Sequence, residues 1–167
     1  MKILEKKWTN LIKKLSLSLS SFIILILFNV SFVYSSEKNI AKGRAVIIDG
    51  DTIKINGERI RFGGIDTPER EEIGHQFSKE KLKEKIGKKI VVCVREKNKD
   101  YWKRTVAECF INDESLSSFM VINGYACDYV KYSKKKYAKE QEYAKTKKLG
   151  IWKMKFNPSW EIKCKKK

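Results

Sequence analysis

The sequence predicts an α+β fold, a closed five-stranded β-barrel with three α-helices. Three observations support this prediction. Short β-branched segments fill residues 43–65 and are interrupted by Asp-Gly and Asn-Gly steps, which separate strands. Two further strand-like segments follow residue 87, and segments with helical spacing lie before and after them. The length of 167 residues favours one domain.

The five expected strands are 43–48, 52–56, 58–65, 88–96 and 104–111. Asn56-Gly57 separates the second from the third, and this dipeptide is a strong signal for a two-residue hairpin turn. We therefore expect the first three strands to form a meander. The charged loop KNKDYWK joins the last two strands.

The three expected helices are 77–86, 115–124 and 133–148. In the first, Phe77, Leu82 and Ile86 recur along a charged stretch, and Gly87 follows as a stop. A helix inserted after the third of five short strands is typical of a small closed barrel of the oligonucleotide-binding (OB) type.

Residues 1–35 differ from the rest of the chain. A lysine-rich start leads into the apolar run FIILILF, and small or aliphatic residues precede a cleavage point near Ser35. We expect a secretory signal peptide, which leaves an OB-fold domain at 36–167 with a basic C-terminal tail, secreted or periplasmic. The alternative is a retained inner-membrane anchor, although the apolar run is short for a span of roughly 20 residues.

The chain is strongly basic. Residues 1–35 hold five of the 37 basic residues and one of the 20 acidic residues, so residues 36–167 carry a net charge of +13. A surface of this sign attracts polyanions such as nucleic acids. The alternative is that the lysines only keep an exported protein soluble.

Four cysteines and a single histidine limit the possible metal and thiol chemistry. The cysteines form no Cys-x-x-Cys pair, and His75 neighbours none of them, which argues against a zinc site or a catalytic Cys-His pair. In an exported chain, four cysteines allow three disulfide connectivities. Cys93 and Cys109 lie on strands that we expect to be neighbours, so Cys93–Cys109 with Cys127–Cys164 is one option. A one-residue slip would separate the first pair.

Acidic residues gather at the predicted strand ends. Asp49, Asp51, Asp66 and Glu69 all lie there, and Asp51 and Asp66 are almost equally far from the Asn56-Gly57 turn. Two carboxylates brought together repel unless a cation lies between them, and oxygen ligands suit Ca²⁺ or Mg²⁺. The alternative is that each aspartate is an ordinary turn residue that accepts local backbone hydrogen bonds.

Two arginines accompany the carboxylates. Arg61 lies on the third predicted strand, and Arg104 begins the fifth. A guanidinium can bind two phosphate oxygens at once, so both arginines beside a metal, with Glu69 acting on a water, fit phosphodiester cleavage. The alternative is that Arg61 pairs structurally with a nearby aspartate and that Arg104 is one surface cation among many.

The combined motifs resemble those of the thermonuclease family, the staphylococcal-nuclease-like enzymes. The similar segments follow in order from about residue 42 to residue 152: IDGDT at 48–52, RFGGIDTPE at 61–69, RTVAECF at 104–110, GYA at 124–126 and LGIW at 149–152. The tail FNPSWE is similar to the ending of exported bacterial members.

The resemblance implies a Ca²⁺-dependent endonuclease, a phosphodiesterase that acts on DNA and RNA and leaves 3′-phosphate ends. It implies calcium ligands at Asp51, Asp66 and, through its backbone carbonyl, Thr67. It implies that Glu69 is the general base or orients the water, and that Arg61 and Arg104 bind the phosphate. It implies no protein partner, and we expect a monomer.

The chain departs from the family pattern before the second arginine. Trp102 takes the position of a family tyrosine and could stack on a base, which favours single-stranded substrates. Lys103 replaces a family glycine, which would reshape the loop if that glycine used a positive φ. Tyr132 is a second candidate for nucleotide binding, and Tyr129 a weaker one. The alternative is that these aromatic residues belong to the core.

Two other function classes remain open. A non-catalytic nucleic-acid-binding OB module would need lysines and aromatic residues, but not a carboxylate cluster that repels phosphate. A lysine-rich membrane-surface protein would have no use for the acidic turns. The retention of Asp51, Asp66 and Glu69 with both arginines therefore favours the enzyme.

Overall fold

The structure is a computed structural model that describes residues 39–154 and Cys164. The chain divides into two compact units, Met1–Asn39 and Ile40–Lys167. The predicted signal peptide at 1–35 lies outside the described residues, as does most of the C-terminal tail. None of the described helices is long and apolar enough to cross a membrane.

Five strands close into the predicted barrel. They are β1 (Ile40–Asp49), β2 (Thr52–Ile55), β3 (Glu58–Phe62), β5 (Ile90–Arg95) and β6 (Thr105–Ile111). The sheet order is β3-β2-β1-β5-β6 with antiparallel neighbours, and β3 also pairs with β6 in parallel, which joins the two edges. The prediction of a five-stranded OB-type barrel is confirmed.

The β2–β3 hairpin forms where the dipeptide predicted it. Asn56 and Gly57 both have positive φ, 48° and 87°, which matches the twist of the flanking strands. Inward-facing residues alternate along both strands, so that Ile53, Ile55 and Ile60 are buried in the barrel core. This hairpin fixes the register Thr52↔Arg61 next to Asp51.

The predicted third strand ends earlier than expected. β3 stops at Phe62, and a turn at Gly63-Gly64 leads into a separate two-residue strand, β4 (Ile65–Asp66). β4 pairs with β8 (Cys127–Asp128) in a second small sheet. The prediction of one continuous strand to residue 65 is therefore wrong, because Gly64 has φ 72° and turns the chain out of the hairpin.

The helical segments surround the barrel. They are α1 (His75–Ile86), α2 (Leu116–Ile122), α3 (Val130–Ser133) and α4 (Ala138–Thr146), followed by a 3₁₀ turn at Gly150–Lys153. A two-residue strand, β7 (Glu114–Ser115), precedes α2, and the hydroxyl of Ser115 accepts a hydrogen bond from the backbone N–H of Ser118.

The predicted third helix, 133–148, is divided. Lys134 and Lys135 adopt positive φ of 56° and 69°, which a right-handed helix cannot contain, so α3 ends there and α4 begins at Ala138. The first and second predicted helices agree with α1 and α2 to within two residues.

Two disulfides cross-link the chain. Cys93 and Cys109 face each other across β5 and β6 with their Cα atoms 4.0 Å apart, and both are buried in the barrel core. Cys127 of β8 is bonded to Cys164, and both pack with Ile151 in a second cluster. The pairing that the strand neighbours suggested is confirmed, because no one-residue slip occurs between β5 and β6.

Candidate active site

A cleft of about 800 Å³ opens beside the β2–β3 hairpin. It brings together the β1–β2 turn, the segment that follows β3, the loop between β5 and β6, and the start of α3. All eight site residues predicted from the sequence line it: Asp51, Arg61, Asp66, Thr67, Glu69, Trp102, Arg104 and Tyr132. We call the part formed by residues 49–69 the carboxylate wall and the part formed by residues 96–104 the loop wall.

Asp51 is a buried carboxylate held by several hydrogen bonds. It is 6% exposed and lies directly before β2. Its Oδ2 accepts hydrogen bonds from the Thr67 backbone N–H at 3.2 Å and the Thr67 hydroxyl at 2.9 Å, while its Oδ1 accepts one from the Thr52 hydroxyl at 2.9 Å. The two bonds from Thr67 attach the β1–β2 turn to the segment after β4.

Arg61 lies between two buried carboxylates. Its Nη1 forms an ion pair with Asp51, and its Nη2 donates to Asp66 Oδ1 at 2.9 Å and to the Ile65 carbonyl at 3.1 Å. Burial alone would raise the pKa of Asp51, but the charge and hydrogen bond of Arg61 outweigh it and hold that pKa below its usual value. Asp51 and Asp66 in turn raise the pKa of Arg61 against the opposing effect of its own burial.

The donor chemistry of this wall fits a hard divalent cation. Asp51 and Asp66 present oxygen atoms only, and both converge on one guanidinium, so they face the same region of the cleft. Within residues 39–154 and Cys164, no three His, Cys, Asp or Glu side chains come together in a metal-binding group. The two aspartates could therefore supply only part of a coordination shell, with backbone oxygen and water completing it.

Glu69 lies at the solvent side of the carboxylate wall. It follows the buried Pro68 and is itself exposed. Its backbone N–H donates to Glu72 Oε2 at 2.7 Å, and its negative charge contributes to the raised pKa of Arg61. The side chain therefore borders the same charged centre as Asp51 and Asp66 while it remains accessible to water.

Arg104 belongs to the loop wall, directly before β6. Its Nε forms an ion pair with Asp100, whose Oδ1 also accepts the Arg104 backbone N–H at 2.7 Å. Burial would raise the pKa of Asp100, but these contacts with Arg104 lower it. Sequence reasoning missed Asp100 as the partner of Arg104, although the spacing of four residues within one loop was a usable signal.

Lys103 adopts φ 59°, so the loop keeps a left-handed residue at the position of the family glycine. The backbone N–H of Lys103 donates to the Asp100 carbonyl at 3.0 Å, and the backbone N–H of Asp100 donates to the Arg104 carbonyl at 3.1 Å. The turn that places Arg104 is therefore formed with a lysine in it, at a conformational cost of roughly 1–2 kcal/mol.

Aromatic rings border the cleft on its open side. Trp102 is 71% exposed, and the Arg104 guanidinium lies 5.0 Å from the centre of its ring. Tyr132 is also exposed and meets Tyr129 edge to face, with ring centroids 4.9 Å apart. The alternative that Trp102 and Tyr132 are core residues is wrong, since both present their rings to solvent.

The sequence of this chain matches the family model "Staphylococcal nuclease homologue" over residues 59–154. A Haemophilus influenzae protein named "Uncharacterized endonuclease" is 33% identical over 135 residues, which cover 77% of this chain and 75% of that protein. "Staphylococcal-like nuclease CAN1" of Arabidopsis thaliana is 32% identical over 116 residues, covering 68% of this chain and 35% of that protein.

A third relative has a name that points elsewhere. "Succinoglycan biosynthesis protein ExoI" of Rhizobium meliloti is 31% identical over 121 residues, which cover 66% of this chain and 63% of that protein. The family model matches more than half of the chain, at residues 59–154. The Haemophilus influenzae relative is 33% identical over a stretch that covers 77% of this chain. This chain belongs to the staphylococcal nuclease homologue family.

Proposed function

We propose that this protein is a Ca²⁺-dependent endonuclease that hydrolyses phosphodiester bonds of DNA and RNA and leaves 3′-phosphate ends. Family membership and the two nuclease-named relatives support nuclease activity in general. The observation that carries the finer proposal is that one cleft is lined by all five acidic and guanidinium residues to which the family resemblance assigns a role: Asp51, Asp66, Glu69, Arg61 and Arg104.

The arginines bind the phosphodiester. Arg61 reaches the cleft from the carboxylate wall and Arg104 from the loop wall, so a phosphate between the walls meets a guanidinium from each. Each guanidinium is already oriented by aspartate, Arg61 by Asp51 and Asp66, and Arg104 by Asp100. Orientation before binding reduces the reorganisation needed as negative charge develops in the transition state.

Asp51, Asp66 and the backbone carbonyl of Thr67 would hold the Ca²⁺. When bound, the ion would polarise a phosphate oxygen and promote ionisation of a water. The carboxylates contribute negative charge and the correct donor atoms, while the bonds from Thr67 to Asp51 keep the β1–β2 turn and the segment after β4 together.

Glu69 acts on the attacking water. Its exposed carboxylate accepts or orients a water proton while the water oxygen forms a bond to phosphorus. The bond from phosphorus to the 5′ oxygen breaks, the departing 5′ oxygen takes up a proton from solvent, and the phosphate remains on the 3′ side. A positioned general base contributes about 10²–10⁴-fold to the rate.

The exposed aromatic rings favour single-stranded substrate. Trp102 and Tyr132 can stack only on bases that are not already stacked and paired in a duplex. The net charge of +13 on residues 36–167 adds attraction to any polyanion and makes binding depend on salt. The rings therefore supply the preference for single strands, and the charge supplies attraction without sequence preference.

We also propose that the protein acts outside the cytoplasm as a monomer, after removal of residues 1–35. The two disulfides support an oxidising compartment, where such bonds persist. Mature protein from an exporting host should begin near Ser36. Intact mass that retains residues 1–35 in a membrane fraction would instead identify an anchor.

One assay tests the catalytic proposal. Purified protein is incubated with single-stranded and duplex DNA in Ca²⁺, in Mg²⁺ and in chelator, and the ends are mapped with a phosphatase that removes 3′ phosphates. We expect cleavage in Ca²⁺, none in chelator, and 3′-phosphate products. Binding without cleavage in every buffer would indicate the non-catalytic OB module.

A further inference from the structure

We infer that His75 is a positioning residue of the cleft. It connects the segment that carries Thr67 and Glu69 to the β1–β2 turn that carries Asp51. Sequence reasoning found no role for this residue, because it lies six positions after Glu69 and its partners come from two other segments. The inference rests on the proposed nuclease function.

The contacts of His75 define the connection. Its Nδ1 lies 3.1 Å from the Pro68 carbonyl oxygen and 3.3 Å from Asp49 Oδ1, and its side chain is 13% exposed. The Pro68 carbonyl oxygen is an acceptor, so Nδ1 carries the hydrogen and donates it there, while the Asp49 carboxylate lies at ion-pair distance from the same nitrogen. One ring nitrogen thus links two segments that are about twenty residues apart in sequence.

Pro68 and Asp49, the two residues that His75 contacts, both belong to the carboxylate wall. Pro68 separates Thr67 from Glu69, and the Thr67 N–H is already committed to Asp51. Asp49 lies two residues before Asp51, and its Oδ1 also accepts the Gly50 N–H at 2.8 Å. His75 therefore provides a second connection between these segments, in addition to the bonds from Thr67 to Asp51.

The chain between Glu69 and His75 forms consecutive hydrogen-bonded turns. The His75 backbone N–H donates to the Glu72 carbonyl at 3.2 Å, the Glu72 N–H donates to the Glu69 carbonyl at 2.8 Å, and Glu72 Oε2 accepts the Glu69 N–H. Consecutive turns thus link Glu69 to the first residue of α1. Movement at His75 would be transmitted to the Glu69 backbone through these bonds.

His75 is itself held in place. Gly74, with φ 96°, precedes it, and a Cβ there would lie 2.8 Å from Ile151 and 3.3 Å from Pro68, so glycine permits this close approach. On the next turn of α1, the Ser78 hydroxyl donates to the Tyr125 carbonyl at 2.7 Å and attaches the helix to the body of the domain. The start of α1, and with it the imidazole of His75, is therefore held in place by these contacts.

Loss of this contact should affect turnover more than substrate binding. The Thr67–Glu69 segment would lose its connection through His75 to the β1–β2 turn and keep the bonds from Thr67 to Asp51, while Arg104, Trp102 and Tyr132 would be unchanged. A misplacement of about 1 Å in a catalytic group can cost about 10²-fold in rate. The expected signature is a lower kcat with a nearly constant KM.

The test compares His75→Leu with His75→Asn, in which the amide nitrogen can donate from near the place of Nδ1. Gln76→Leu is the matched control, since Gln76 is the next residue of α1, is exposed, and donates from its side-chain amide to Glu80 on the same helix. Measurements are kcat and KM on single-stranded DNA, Ca²⁺ affinity by calorimetry without substrate, and hydrogen exchange of the Thr67 amide.

We expect His75→Leu to lower kcat by about 10- to 100-fold, to weaken Ca²⁺ binding and to speed exchange at Thr67. His75→Asn should recover most of each loss, and Gln76→Leu should match wild type. Wild-type kcat in a folded His75→Leu, or equal losses in the Leu and Asn variants, would overturn the inference.

If wild type does not cleave DNA, the nuclease proposal fails. Exchange at Thr67, faster in His75→Leu than in His75→Asn, then decides separately whether the connection exists.

Discussion

The two walls of the cleft are built in opposite ways. On the carboxylate wall, Asp51 and Asp66 are buried and joined through Arg61 and Thr67. On the loop wall, Trp102 is 71% and Tyr101 90% exposed, and Arg104 is oriented by Asp100 within the same short loop. The carboxylate wall is stabilised by contacts among three segments of the chain. The loop wall is a surface turn whose ion pair lies within the turn itself.

The difference suggests a division of labour. Chemistry at phosphorus needs groups fixed to within about half an ångström, which burial and several hydrogen bonds provide. Stacking on bases of any identity needs exposed rings that can adjust, which a surface loop provides. We therefore expect substitutions on the carboxylate wall to lower turnover and substitutions of the exposed rings on the loop wall to weaken binding.

The largest expected effect is that of Glu69→Gln. Glutamine keeps the size and hydrogen-bonding reach but cannot accept a proton near neutral pH, so cleavage should fall by about 10²–10⁴-fold. Binding of single-stranded DNA should be equal to wild type or slightly tighter, because one negative charge is removed. Single-turnover cleavage and equilibrium binding at one fixed salt concentration measure both. Unchanged cleavage would remove Glu69 from the mechanism.

The next effect concerns Asp66→Ala. Removal of a proposed ligand should raise the Ca²⁺ concentration for half-maximal cleavage by at least about tenfold, as expected for a loss of roughly 1.4 kcal/mol in binding. It also removes one of the two buried carboxylates that pair with Arg61, so the free energy of unfolding should be measured in urea alongside. Normal cleavage by this variant at limiting Ca²⁺ would show that the ligand assignment is wrong.

A smaller effect, confined to binding, is expected on the loop wall. Trp102→Ala should weaken the affinity for single-stranded DNA by about 1–3 kcal/mol, roughly 5- to 150-fold in Kd, with little change in single-turnover rate at saturation. Trp102→Phe is the matched control and should keep most of the affinity, because it keeps an aromatic face. A loss of turnover without a loss of affinity would break the distinction between the walls.

The smallest effect is a gain in stability. Lys103→Gly should raise the free energy of unfolding by about 1 kcal/mol, because glycine adopts the left-handed conformation of this position without strain. Urea unfolding measures it, and Lys99→Gly, in the same loop and without a positive φ, should give no gain. If Lys103→Gly is destabilising, the lysine side chain contributes more to the loop than its backbone strain costs.

The parts of the fold that depend on local signals could be predicted from the sequence. Asn56-Gly57 gave the hairpin, and with it the placement of Asp51 and Arg61 on neighbouring strands. The neighbouring positions of β5 and β6 likewise suggested the disulfide between Cys93 and Cys109. In each case, short-range chemistry determined a long-range contact.

Other features depend on backbone conformations that side chains do not reveal. We predicted that the third strand continues through Gly63-Gly64. These residues turn the chain away from β2, so that Asp66 pairs with Cys127 of β8. The break between α3 and α4 depends on left-handed conformations at Lys134 and Lys135, which lysine rarely adopts. The Gly-Gly dipeptide was a usable turn signal, whereas residue propensity could not predict the break at the two lysines.

The candidate site was predictable as a set of residues but not as a set of contacts. Sequence reasoning placed a metal between Asp51 and Asp66 and left open that Arg61 pairs with an aspartate. The structure shows Arg61 bonded to both aspartates. The contacts of His75 with Pro68 and Asp49 could not be predicted from the sequence pattern, because they depend on tertiary packing between α1 and two loops.

The parallel pairing of β3 with β6 has a kinetic consequence. The hairpin that carries Arg61 is local in sequence, but the pairing Ile60↔Thr105 joins distant parts of the chain. Non-local pairings carry a larger loop-closure entropy and form later in folding than hairpins. Since Arg104 directly precedes Thr105, the two guanidinium groups meet only when this pairing is made. A chain that has collapsed without closing its barrel should therefore be inert, and the recovery of cleavage during refolding should follow barrel closure rather than hairpin formation.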